Sequence, residues 1–231
     1  MRWWRTASVA ISLALTVTCD RAEADTTLRY ASSADSNETL TIEAASDGRL
    51  RVEDGRGQMV LTRDGVTYIT AFLPSRERIV VRLDDYMAVG AELRSRLLES
   101  GVLQRDDSTR YAPRPEGTRT IGSWHGIVYT IGPVEAPGMT RELVISGDPA
   151  LADVQRVAAA GLEAFERPSR AVLLYPDAVV RWTSETLARG MPISYEGMNL
   201  QSVSREPVPA ERFEPPQPIL SRDQLRSQML R

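Results

Sequence analysis

Leu40-Thr-Ile42-Glu-Ala44, Leu50-Arg-Val52-Glu53 and Val66-Thr-Tyr68-Ile69-Thr70 are the runs that decide the fold. Apolar and polar side chains alternate through them, the period of a strand with one face on a core. Between them lie Ser46-Asp47-Gly48, Asp54-Gly55-Arg56-Gly57 and Asp64-Gly65. Asp-Gly pairs accept the positive φ angles of tight hairpin turns. Leu28 to Leu83 therefore reads as an antiparallel meander with one apolar and one polar face. Ile79-Val-Val-Arg-Leu83 is its next strand, after a turn at Pro74-Ser75.

Downstream the period changes. Tyr86, Val89, Leu93 and Leu97 follow helical spacing from Asp84 to Ser100, with Asp84 as the expected N-cap and Gly101 as the stop. Residues 104–120 are polar, contain Pro113 and Pro115, and read as a loop. Period two returns at 123–131 and 141–146. Asp148-Pro149 should open a second helix with the stripe Leu151, Val154, Ala158, Leu162 and Phe165, ended by Pro168. Val172 to Tyr175 fits a strand or a short helix, and 177–189 a helix. Residues 193–205 read as a strand pair turning at Glu196-Gly197. Five prolines in 207–218 forbid regular structure. Ser221 to Gln224 resembles a capping box for a short terminal helix. The expected class is α+β and β-rich. Helices 84–100 and 150–165 should cover the apolar face of one antiparallel sheet, with Leu93, Leu97, Leu162 and Phe165 toward it. No linker divides 25–218, so one domain is expected there, with a short helical tail at 219–231.

The start of the chain points to export. Arg2 and Arg5 precede the uncharged run Thr6 to Thr18, and Ala22 and Ala24 place small side chains at −3 and −1 of a cleavage site before Asp25. The run is too short to span a bilayer comfortably, so 1–24 is expected to be a cleaved signal peptide and the mature chain a periplasmic protein without a transmembrane span. Cys19 offers the alternative of a lipid-anchored protein. Thr16 and Thr18, however, stand where a lipobox wants Leu and a small residue.

Composition excludes several chemistries. All 28 basic residues are arginine, so there is no lysine for a Schiff base or a phosphate loop. There is one histidine and one cysteine, which rules out a zinc site of the usual His/Cys type and an intrachain disulfide. Net charge is −3 with arginines scattered among acids, so no basic stripe suggests nucleic acid. No cofactor is expected.

Three stretches carry a resemblance. They are Trp124-His-Gly126-Ile-Val-Tyr129, Gly190-Met-Pro192-Ile-Ser-Tyr-Glu196 and Pro207-Val-Pro209-Ala-Glu-Arg-Phe213-Glu-Pro215. With the order of elements, they resemble the LolA/LolB-like periplasmic superfamily over about residues 27–216. The resemblance implies a curved antiparallel sheet forming an unclosed half-barrel, with helices as a lid over an apolar cavity for acyl chains. It also covers domains that sense envelope stress. No binding arginine of the carriers matches a single position here, so lipoprotein carriage is not carried over.

Candidate sites follow. Trp124, Tyr129, Phe165 and Trp182 could line a cavity for a lipid or other apolar ligand, or fill a core. His125 shares a strand face with Ile127, Tyr129 and Ile131, with Ser123 two residues away. No nucleophile elbow accompanies it, and a structural histidine is the simpler reading. Asp84-Asp85 and Asp106-Asp107 lack the spacing of a glycosidase pair or a calcium loop. Asn37-Glu-Thr39 fits a glycosylation sequon. Three functions remain: a non-enzymatic periplasmic carrier of an apolar ligand, a module presenting the proline-rich tail or a sheet edge to an envelope protein, and a hydrolase using His125 or acids.

Overall fold

Six strands build the meander: β1 (Thr26–Ser32), β2 (Thr39–Ala44), β3 (Leu50–Asp54), β4 (Met59–Arg63), β5 (Val66–Phe72) and β6 (Arg78–Arg82). The computed structural model describes residues 24–230 except 33, 36, 37, 74, 104–108, 135–139 and 173–175. Residues 1–23 with Cys19, and Asn37, Asp106 and Asp107, lie outside the described residues. One cross-strand row holds the meander together: Leu28, Ile42, Val52, Val60, Ile69 and Val81 stand side by side. Each is at most 1% exposed. One position along, Thr27, Glu43, Arg51, Leu61, Tyr68 and Arg82 form the row on the opposite face. The alternation in the sequence is thus realised pair by pair. Asp64 and Gly65 turn the β4–β5 hairpin with φ of 51° and 74°, the two positive angles that a two-residue turn of this type needs.

The remaining strands are β7 (Tyr111–Ile121), β8 (Trp124–Pro133), β9 (Arg141–Ser146), β10 (Met191–Tyr195), β11 (Met198–Ser204) and β12 (Ile219–Leu220). The order is β12-β6-β5-β4-β3-β2-β1-β11-β10-β9-β8-β7 in one unclosed sheet of 12 strands. β1 pairs with β11, which joins the two halves of the chain in one sheet. The helices are α1 (Leu83–Glu99), α2 (Gln155–Glu166), α3 (Ser169–Val172), α4 (Asp177–Leu187) and α5 (Arg222–Met229). The protein is α+β and β-rich, as its periodicity indicates.

Several local expectations are corrected. The sheet is mixed, because β12 runs parallel to β6. Residues 111–121 are not a loop but the edge strand β7. Its outer side has no ladder to lose, so Pro113 and Pro115 are tolerated there. A bulge between Pro115 and Thr118, with Gly117 at φ 103°, takes up the extra residue. Asp84 does not cap α1. The cap position is Arg82, without a side-chain bond, and Asp84 and Asp85 lie in the first turn, where the helix dipole favours acids. Asp148 does cap, accepting from the Ala150 N–H at 2.9 Å, but it opens a single 3-10 turn at Pro149–Leu151, and α2 starts only at Gln155. Leu93 and Leu97 are half-buried and do not reach the sheet. Only the start of α1 does so, through Leu83, Tyr86, Met87 and Val89. Further along, α1 leans on α3 and α5: a Cβ at Gly90 would stand 2.7 Å from that of Ala171, and Glu92 accepts from Arg226 at 2.7 Å.

The proline-rich segment crosses the polar face of β2–β5. Phe213, fully buried, packs with Ala45, Met59, Leu61 and Val208. Arg212 forks onto Glu43 with bonds of 2.8 and 3.1 Å. Asp25 ties down the segment's start: its carboxylate accepts from the Ser46 N–H at 2.9 Å and the Val208 N–H at 2.8 Å. These two backbone bonds hold the Asp25 carboxyl below its ordinary value. Because the folded value is depressed, the stabilisation is complete above about pH 4, the unfolded value, and is lost as pH falls through the folded value below it. Asp25→Asn should therefore lower stability at neutral pH and flatten the acid limb of a urea-midpoint against pH profile. An unchanged acid limb would show that this clasp is not energetically coupled to folding.

Candidate functional site

The helix layer meets the sheet in two different ways. α2 lies directly on β2 and β3: a Cβ at Gly161 would stand 2.6 Å from Ile42 Cγ2, so glycine is what permits the approach. Leu162 beside it is fully buried in the same cluster. Leu162→Trp should overpack this contact, costing about 1–3 kcal/mol in a urea melt. A variant as stable as the parent would show spare volume under α2.

α4 lies over β7 and β8 instead. Its buried face is Val179, Thr183, Thr186 and Leu187. The Thr183 and Thr186 hydroxyls donate to the carbonyls of Val179 and Trp182, at 2.8 and 2.7 Å, which satisfies them within the helix. The Trp182 indole N–H donates to the Tyr111 carbonyl at 2.9 Å, pinning α4 to the edge strand. Tyr129 is half-buried, with the Arg189 guanidinium 5.5 Å from its ring centroid. Phe165, at the end of α2, touches both the principal core and the cluster beneath α1.

Trp124, Tyr129, Phe165 and Trp182 all border the principal core without being enclosed by it, but they do not form one set. Trp124 and Tyr129 stand five residues apart on the regular strand β8, so they point to opposite faces of the sheet. Tyr129, Phe165 and Trp182 border the helix layer. Trp124 lines a different cavity, with Thr120, Ser123, Asn199 and Gln201.

Charged groups stitch the layers. Arg141 on β9 pairs with Glu166 on α2 and lies 3.1 Å from Glu196 Oε1. Arg170 lies 3.5 Å from Glu166 Oε2. Burial pushes the Glu166 carboxyl above its ordinary value, against the pull of Arg141. The space between Arg141, Glu166, Ser169 and Arg170 is about 20 Å³, room for about one water. On the outer face, Glu43, Arg51, Glu53 and Arg212 form a second network. The sequence reading missed this network, because alternation alone assigns Glu43 and Arg51 to solvent.

His125 is exposed, its Nδ1 3.1 Å from Thr120 Oγ1. Ser123 falls in the turn between β7 and β8. Among the described residues, no group of three or more His, Cys, Asp or Glu side chains could hold a metal ion, and no helix is long and apolar enough to cross a membrane.

Fold and site together define a β-rich α+β protein with helices laid on an unclosed sheet and an aromatic margin where α4 crosses its edge. Comparison with protein-family models, curated proteins and solved structures finds no match.

Proposed function

We propose that the protein is a non-enzymatic periplasmic protein, exported by the segment 1–24, that binds an apolar ligand such as a lipid or acyl chain beneath α4. The observation that carries this reading is the aromatic margin: Tyr129, Phe165 and Trp182 flank the core without being enclosed by it. α4 meets the sheet partly through Thr183 and Thr186, whose hydroxyls are satisfied within the helix, so lifting it breaks no hydrogen bond of theirs to the sheet. α2 is closed onto Ile42, which leaves the α4 end as the place for a ligand to enter. The resemblance to LolA/LolB-like proteins favours the same reading.

The alternative, an envelope protein-interaction or stress-regulatory module, gains less support. Phe213 and Val208 of the proline-rich segment are buried on the chain's own sheet. The β7 edge is interrupted by Pro113, Pro115 and a bulge, features that discourage strand addition. A brominated long-chain fatty acid tests the proposal by quenching tryptophan fluorescence on contact. Saturable quenching that Trp182→Phe largely removes is expected. Absence of saturable quenching, or quenching indifferent to that change, would contradict it.

A further inference from the structure

The cavity beside Trp124 has a chemistry of its own. It measures about 350 Å³ and lies where the β7–β8 turn approaches β11. The indole of Trp124 is half-exposed there. Gly122, at φ 57°, turns the chain tightly beside it; a Cβ at that position would stand 3.9 Å from the ring. The lining also includes Thr120, Ser123, Asn199 and Gln201, and none of the lining residues carries a charge. Asn199 and Gln201 both come from β11, where Gln201 is the unpaired residue of a bulge opposite Arg29 and Tyr30. Thr120 is engaged by His125 and the Gln201 amide nitrogen donates to the Asn199 carbonyl, at 3.1 Å each. Among the described residues, no hydrogen bond occupies the Asn199 carboxamide or the Ser123 hydroxyl.

This combination selects a ligand class. A carboxylate or phosphate finds no cation here, and an acyl chain would strip water from amides and hydroxyls with nothing in return. A pyranose has an apolar C–H face that lies on an indole, and rim hydroxyls that both donate and accept. Carboxamides and hydroxyls are the side chains that match such groups in both directions, and an aromatic wall with a few convergent polar groups is the usual build of a small-ligand site. We propose that this cavity binds a neutral saccharide, with Trp124 as the stacking platform and Asn199, Gln201 and Ser123 as the hydroxyl-binding groups. The site lies on the face of β8 opposite Tyr129, so it is separate from the apolar site under α4 and does not depend on it.

Calorimetric titration of the full chain with maltotetraose, cellotetraose and chitotetraose tests this. Saturable binding of at least one is expected, weakened about tenfold by Trp124→Ala and largely kept by Trp124→Phe. Trp124 also touches the core, so Asn199→Ala and Gln201→Ala provide a check that does not disturb it, and each should weaken binding several-fold. Trp182→Phe should leave saccharide binding unchanged. If none of the three sugars binds at millimolar concentration, or if binding is the same in Trp124→Ala, Asn199→Ala and the parent, the proposal is wrong.

Discussion

Phe213→Ala should be among the most damaging single changes in the protein, costing about 3–5 kcal/mol. The ring is fully buried between the proline-rich segment and the outer face of β3 and β4, beside Met59 and Leu61 and under the Arg49 guanidinium, 4.7 Å from its centroid. It sits in a one-turn 3-10 helix, Ala210–Phe213, which has little hydrogen bonding of its own to hold it in place. Losing the ring removes the main apolar anchor of a segment that otherwise crosses a polar surface. For a domain of this size each kcal/mol shifts the melting temperature by about 2–4 °C, so the effect is large in a thermal melt. A loss under about 1 kcal/mol would mean that this segment is not part of the cooperative unit.

Arg51→Ala should rank behind it, at about 1–3 kcal/mol, the scale of losing hydrogen bonds made by a charged group, because no buried carboxylate is left wholly unpaired. The Arg51 side chain is only 10% exposed. It donates to Glu53 Oε2 at 2.6 Å, to Met59 Sδ at 2.9 Å and to the Arg212 carbonyl at 3.3 Å, and its Nε lies 3.6 Å from Glu43 Oε2. Without it, Glu43, itself 11% exposed, keeps Arg212 as its ion-pair partner. Arg51→Lys should rescue little, because one ammonium cannot reach the acceptors that a planar fork spans. A double-mutant cycle with Glu43→Gln measures the coupling. A coupling energy near zero would show that the two side chains are independent despite their contact.

How much of this is legible in the sequence depends on how local the cause is. The turn at Asp64-Gly65 can be read directly, since both residues accept the positive φ they adopt, whereas at Glu196-Gly197 only the glycine announces it. The apolar row from Leu28 to Val81 can be read as well, because a period of two leaves it only one face. β7 cannot be read in this way: Pro113 and Pro115 are breakers within a sheet and are harmless only at an edge, a position that depends on the whole topology. The Glu43–Arg51–Arg212 network is hidden for a related reason. Its cover arrives from a segment about 160 residues downstream of Arg51, and nothing around Glu43 announces it. The separation of Trp124 from Tyr129 is different again, because a spacing of five on a strand already implies opposite faces. Grouping them by aromatic character overrode that count.

Native mass spectrometry of the protein purified from the cells that make it tests the central claim most directly. The account predicts a chain beginning at Asp25 that carries a lipid-sized adduct, released as the collision energy is raised. A bare chain, or one bound only to another protein, would contradict it.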